Sequence, residues 1–125
     1  MSSARRDKFG ATVRREREKL EIGLREMAKK IGVSPTYLSK VERDEFPPPA
    51  EDKVKAIAEI LDLDVDELLA LSGKVSSDLT QIIREHPREM ASFLRGTRGM
   101  SEDEMAKVLK LIAEQMKNRN ISDPK

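Results

Sequence analysis

The chain has 125 residues, 38% of them charged and 3% aromatic, with one histidine and no cysteine. That length holds one domain, or a small domain with an appendage. Without cysteine there is no disulfide framework, and one histidine is too few for a structural zinc site. No apolar run approaches the roughly 18–20 residues needed to cross a bilayer, and the opening MSSARRDKFG lacks a signal peptide's apolar core. The expectation is a soluble cytoplasmic protein with no membrane partner.

The net charge of +1 hides an asymmetry. Residues 1–43 carry 12 basic and 6 acidic side chains (+6), residues 44–75 carry 3 and 9 (−6), and residues 76–125 carry 9 and 8 (+1). Positive charge is concentrated in the first third, where it can meet phosphates or simply solvate helices.

In chain order, residues 1–7 form an arm whose distinctive feature is Arg5-Arg6, suited either to a nucleic-acid backbone or to a disordered tail. A first helix is expected over Lys8–Lys19, with Phe9, Val13 and Leu20 inward and Arg14, Arg15 and Lys19 outward. Ile22-Gly23 links it to LREMAKKIGVSPTYLSKVER, residues 24–43. There Met27, Ala28 and Ile31 share a helix face that stops at Gly32. A second short helix opens with Ser34 as N-cap and Pro35 at its first position, and places Leu38 and Val41 inward. Ala28 is small enough for two helices to cross, Gly32 supplies the left-handed turn, and Val33 plugs the gap. This spacing is the helix-turn-helix pattern of DNA-binding proteins.

Asp44-Glu45-Phe46-Pro47-Pro48-Pro49 cannot continue a helix and forms a stiff loop, with Phe46 expected to pin it to the core. A proline-rich ligand for an SH3-like partner is the other reading of those prolines. A fourth helix covers about Ala50–Leu61, with Val54, Ile57, Ala58 and Leu61 on one face. Asp64 and Glu67 form a capping box for a fifth helix, in which Leu68, Leu69 and Leu71 face inward and Gly73 stops the run. The expected architecture is therefore all-α: a five-helix domain over residues 1–73, then a small helical region over 74–125.

The second region holds a helix from Ser76-Ser77-Asp78 to His86 with Leu79, Ile82 and Ile83, and another over Pro87–Arg95 with Met90, Phe93 and Leu94. After a Gly96–Gly99 turn, Ser101 and Glu104 box the last helix, expected to reach about Asn118 before the end frays. Met105, Val108, Leu109, Ile112 and Met116 make one stripe along it. Three helices in under 50 residues have little core of their own. They bury their stripes in a second copy of the chain, which makes this a dimerisation region, or pack back on the fifth helix.

Catalysis finds no support. His86 sits in a helix-ending His-Pro without a nucleophile, no carboxylate pair stands out, and there is no Gly-rich phosphate loop. The expectation is no enzyme and no cofactor or metal.

From Phe9-Gly10 through GVSPTYLSKVER to Ile60–Leu69, the sequence resembles the phage lambda repressor/Cro-type (XRE) helix-turn-helix regulators. The resemblance implies a five-helix domain whose motif inserts its second helix, here Pro35–Glu42, into the major groove of a double-stranded, palindromic operator. Matched position by position, Pro35, Thr36, Ser39 and Lys40 face bases. Pro35 cannot donate, which leaves Thr36 and Lys40 as the best readers, Lys40 toward guanine O6 or N7. Tyr37 is placed for a phosphate or thymine-methyl contact, Ser34 caps and can also meet phosphate, and Arg25 and Arg43 suit the backbone. The family's ion pair between the first helix and the reading helix falls on Arg17 and Glu42. Two positions depart: Gly23-Leu24 replaces the usual Ser/Thr-Gln opening, so Arg25 substitutes for that contact, and Glu16 occupies an apolar place.

The resemblance thus implies a dimeric, sequence-specific regulator acting as a repressor. The alternative is an antitoxin or protease-controlled repressor whose C-terminal helices bind a toxin or metallopeptidase, as in the helical tails of some short members. Fifty residues are too few for the self-cleaving domain of other phage repressors.

Overall fold

The computed structural model describes residues 8–122, with side chains through Arg119. Arg5 and Arg6 lie outside that range, as do Asp123, Pro124 and Lys125. Among the described residues there are eight helices and no strand: α1 (Phe9–Lys19), α2 (Leu24–Ile31), α3 (Pro35–Glu42), α4 (Glu51–Leu61), α5 (Val65–Leu71), α6 (Ser77–Glu85), α7 (Pro87–Gly96) and α8 (Glu102–Ser122). The chain divides into two compact units that meet between Thr80 and Gln81.

The first unit is built by helices whose apolar residues recur at three- and four-residue spacing. Met27, Ala28 and Ile31 of α2 meet Leu38 and Val41 of α3; Phe9 and Val13 of α1 and Val54, Ile57, Ala58 and Leu61 of α4 close around them; Leu68 and Leu69 of α5 complete the core. Each Val, Leu, Ile, Phe or Met side chain among them, fully buried, contributes about 1.5–3 kcal/mol. Ala28 is fully buried, as a crossing point between helices requires.

All five helices of this unit end in one way. A residue in the left-handed region follows each, and the next N–H donates to the carbonyl five residues back. The left-handed residues are Glu21, Gly32, Asp44, Asp62 and Gly73. The bonds run from Ile22 to Arg17 (3.2 Å), Val33 to Ala28, Glu45 to Lys40, Leu63 to Ala58 and Lys74 to Leu69 (2.9 Å each). Gly32, at φ 78°, holds the turn of the motif, and Lys53 Nζ donates to the Ile31 carbonyl at 2.8 Å, closing the end of α2 from α4.

Two placements differ from expectation. Leu20 is 50% exposed, because α1 stops at Lys19 and the left-handed Glu21 turns the chain so that Ile22 packs on the core instead. Phe46 does not pin the loop: it is 40% exposed, and Pro49 is the buried loop residue. Leu71 is half-buried and packs against the core, the side on which it was expected. The Asp64 carboxylate accepts from Glu67 N–H at 2.9 Å, the capping bond expected there. Glu16 is half-buried and paired with Lys19 at 3.2 Å. That hydrogen bond, more than the neighbouring Arg15, holds its carboxyl below the usual range against the opposing effect of desolvation.

At Ser77 the chain is tied to α4. Glu51 Oε2 accepts from Ser77 N–H at 3.1 Å and from its hydroxyl at 3.2 Å, while pairing with Lys55 at 2.9 Å. In the second unit the capping box of α8 is complete. Ser101 Oγ accepts from Glu104 N–H (3.1 Å), and Glu104 Oε1 accepts from Ser101 N–H (2.9 Å). α8 continues to Ser122, past the expected Asn118, because no helix-breaking residue precedes Pro124. Its 21 residues span about 31 Å.

Candidate nucleic-acid interface

α3 has the bounds expected of the reading helix, Pro35–Glu42. Ser34 Oγ accepts from Tyr37 N–H at 3.0 Å, and Pro35 occupies the first turn, where its missing N–H leaves nothing unsatisfied. Leu38, Val41 and Glu42 are buried. At about 100° per residue, Thr36 and Lys40 point within roughly 20° of the opposite direction, with Ser39 on one flank and Tyr37 on the other. Thr36, Ser34, Arg25 and Arg43 are exposed, while Pro35, Tyr37, Ser39 and Lys40 are half-buried. α3 therefore presents a narrow polar, cationic ridge with an apolar back.

The ridge is braced from beneath. Arg17 Nε donates to Glu42 Oε2 at 2.7 Å, Nη2 to Glu42 Oε1 at 2.8 Å and Nη1 to the Ile22 carbonyl at 2.8 Å. Both residues are buried, so the fork fixes α1, the α1–α2 turn and the end of α3 as one piece. The Glu42 hydrogen bond, outweighing desolvation, raises the guanidinium pKa further above its ordinary value. This is the pair expected at Arg17 and Glu42, and its burial removes both from any surface that touches a ligand.

Two further residues shape this face, and neither was assigned to it from the sequence. Asp44, just past α3, accepts from Gly10 N–H at 2.9 Å, capping the first turn of α1. A Cβ on Gly10 would stand 2.1 Å from the Val41 carbonyl, so only glycine allows α1 to approach α3 this closely. The other is Phe46. Its ring lies 5.9 Å from that of Tyr37, tilted by 47°, and Lys40 Nζ stands 5.2 Å from the ring centre. An aromatic four residues beyond the reading helix, in a chain with three phenylalanines and one tyrosine, was the available signal.

Arg43 bends over the end of α3, donating to the Ser39 carbonyl at 3.4 Å and lying 3.6 Å from Glu45. Arg25 stands on the first turn of α2. In the second unit, Leu109, Ile112 and Met116 are 59%, 41% and 53% exposed, with Met105 and Val108 half-buried beside them. His86 is exposed at the N-cap of α7. Among the described residues, no group of three or more His, Cys, Asp or Glu is arranged to hold a metal, and no helix is long and apolar enough to cross a membrane.

A family model described as a helix-turn-helix domain matches residues 8–71, just over half of the chain. Among solved structures, the N-terminal DNA-binding domain of SinR from Bacillus subtilis is 31% identical over 49% of this chain and 88% of that one, with a TM-score of 0.45. The SinR protein/SinI protein complex is 23% identical over 87% and 98%, with a TM-score of 0.47. The clp gene regulator ClgR from Corynebacterium glutamicum is 23% identical over 72% and 89%, with a TM-score of 0.46. No curated protein matches the chain. The motif built by α2 and α3 lies wholly within the matched residues, and the chain belongs to the helix-turn-helix domain family.

Proposed function

We propose that the chain is a sequence-specific regulator of transcription that binds double-stranded DNA as a homodimer and acts as a repressor. α3 reads the major groove. The observation that carries this reading is the ridge of α3: Thr36 and Lys40 point away from the core, on a helix locked in place by the buried Arg17–Glu42 fork. Lys40 donates to guanine O6 or N7, and Thr36 meets a base edge, a thymine methyl or a phosphate. Arg25 and Arg43 flank the ridge and meet phosphates, while Ser34 and Tyr37 stand at its start.

The dimer rests on the second unit. Its helices α7 and α8, and the end of α6 that enters it, bury no residue among those described, and α8 leaves Leu109, Ile112 and Met116 open to water. A second copy covering that face carries two reading helices, which on a palindromic site meet half-sites about 34–36 Å apart. Selection of bound sites from random double-stranded DNA by the full chain tests the whole reading. A palindromic consensus supports it; recovery of no consensus at moderate salt contradicts it.

A further inference from the structure

The ridge carries a lysine, and a lysine is a poor reader unless something holds it. Its four-carbon stem is flexible, and ordering it at a base opposes binding. In this chain Lys40 is gripped at both ends. Its carbonyl accepts from Glu45 N–H at 2.9 Å and from Phe46 N–H at 3.3 Å, so the loop after α3 folds back on it. Its ammonium stands 5.2 Å from the centre of the Phe46 ring, within range of the attraction between a cation and a π face.

Phe46 is itself held. Two backbone bonds to Lys40 anchor the loop on its N-terminal side, and Pro47 restricts the Phe46 backbone on the other. The Tyr37 ring packs against it at 5.9 Å. A large apolar ring left 40% exposed on the lip of a DNA-reading helix has no core role that accounts for its position.

We infer that Phe46 is a positioning residue for Lys40: its ring holds the ammonium at the edge of the α3 ridge, so that the lysine meets its base already ordered. The inference rests on α3 being the reading helix. Specificity at the Lys40 base then depends on a residue outside the helix that reads it. Because no charge changes when Phe46 is replaced, non-specific binding and the salt dependence of affinity stay as they are.

The test uses the full 125-residue chain on sites selected from random DNA, with Phe46→Leu, Phe46→Tyr, Lys40→Ala and the Phe46→Leu/Lys40→Ala double variant. Phe46→Leu keeps apolar bulk but loses the π face. It is expected to lower specific affinity about two- to fivefold and relax the Lys40 base position. Phe46→Tyr restores both, and Phe46→Leu adds nothing once Lys40 is alanine. An equal loss from Phe46→Leu with and without Lys40 means that the ring touches DNA itself, and overturns the inference. So does a Phe46→Leu chain that matches the native one. A Lys40→Ala chain with unchanged affinity and selectivity fails earlier and differently: it overturns the placement of the reading helix, and the inference with it. In the free protein, the Lys40 ε-methylene protons should show an upfield ring-current shift that Phe46→Leu abolishes; its absence from the native spectrum also overturns the inference.

Discussion

At Gly10 the absence of one carbon decides how α1 meets α3. A methyl group there would collide with the Val41 carbonyl at 2.1 Å and crowd Asp44 Oδ1 and the Glu42 carbonyl at 2.8 Å, two of them rigid backbone atoms. Gly10→Ala should destabilise the fold by about 1–3 kcal/mol in a urea melt, despite alanine's better helix propensity. The Arg17–Glu42 fork makes a second test. Glu42→Ala strands a buried guanidinium and should cost about 3–5 kcal/mol, whereas replacing both partners with Met and Leu should recover most of that. If the double replacement proved as costly as the single one, the fork would contribute net stability rather than orientation. Phe46 shows what composition hides at this scale. An isolated aromatic among prolines suggests an anchor, yet Pro49 is buried and the ring turns to Tyr37 and Lys40.

Several elements were legible because they carry their own start or stop. Ser34-Pro35, Asp64 and Ser101 mark beginnings, and Gly32 and Gly73 mark ends. Glu21, Asp44 and Asp62 perform the same left-handed turn without announcing it, since a carboxylate at that position is also ordinary helix surface. The misplacement of Leu20 follows from this: periodicity runs on through Leu20, but the backbone turns at Glu21. The tie between α4 and the start of α6 was likewise invisible, because Glu51 and Ser77 are 26 residues apart. The hydrogen bond from Lys55 chiefly, and then the Ser77 N–H, hold the Glu51 carboxyl below its usual range. A depressed carboxylate contributes stability above its ordinary value and loses it as pH falls through the folded one. Amide exchange at Ser77 should therefore quicken, after correction for intrinsic rates, below about pH 4, and Glu51→Gln should remove most of that dependence. Identical profiles in the two proteins would mean that Glu51 does not hold α6.

For the whole molecule, the division of charge and the exposed stripe of α8 point the same way. The basic third of the chain contains α3, the acidic segment follows it, and the near-neutral remainder leaves apolar side chains exposed, which the proposed dimer would cover with a second copy. Ile112→Glu should convert a dimer to a monomer in sedimentation at micromolar concentration while leaving the melting of residues 8–71 unchanged; a native chain that is already monomeric there would remove the dimer from the account. The site itself was legible only in part. The family resemblance proposed Thr36 and Lys40 as readers and Arg17 with Glu42 as the brace, but the ring of Phe46 beside them depends on a loop contact that no spacing announces.

The central claim, that the α3 ridge reads sequence through Lys40, is tested most directly by competition binding of the native and Lys40→Ala chains to sites selected from random DNA. The account predicts a loss of about 1–3 kcal/mol in specific affinity and relaxed preference at a single base pair in each half-site, with binding to unrelated duplex little changed. Unchanged affinity and selectivity in the Lys40→Ala chain would contradict it.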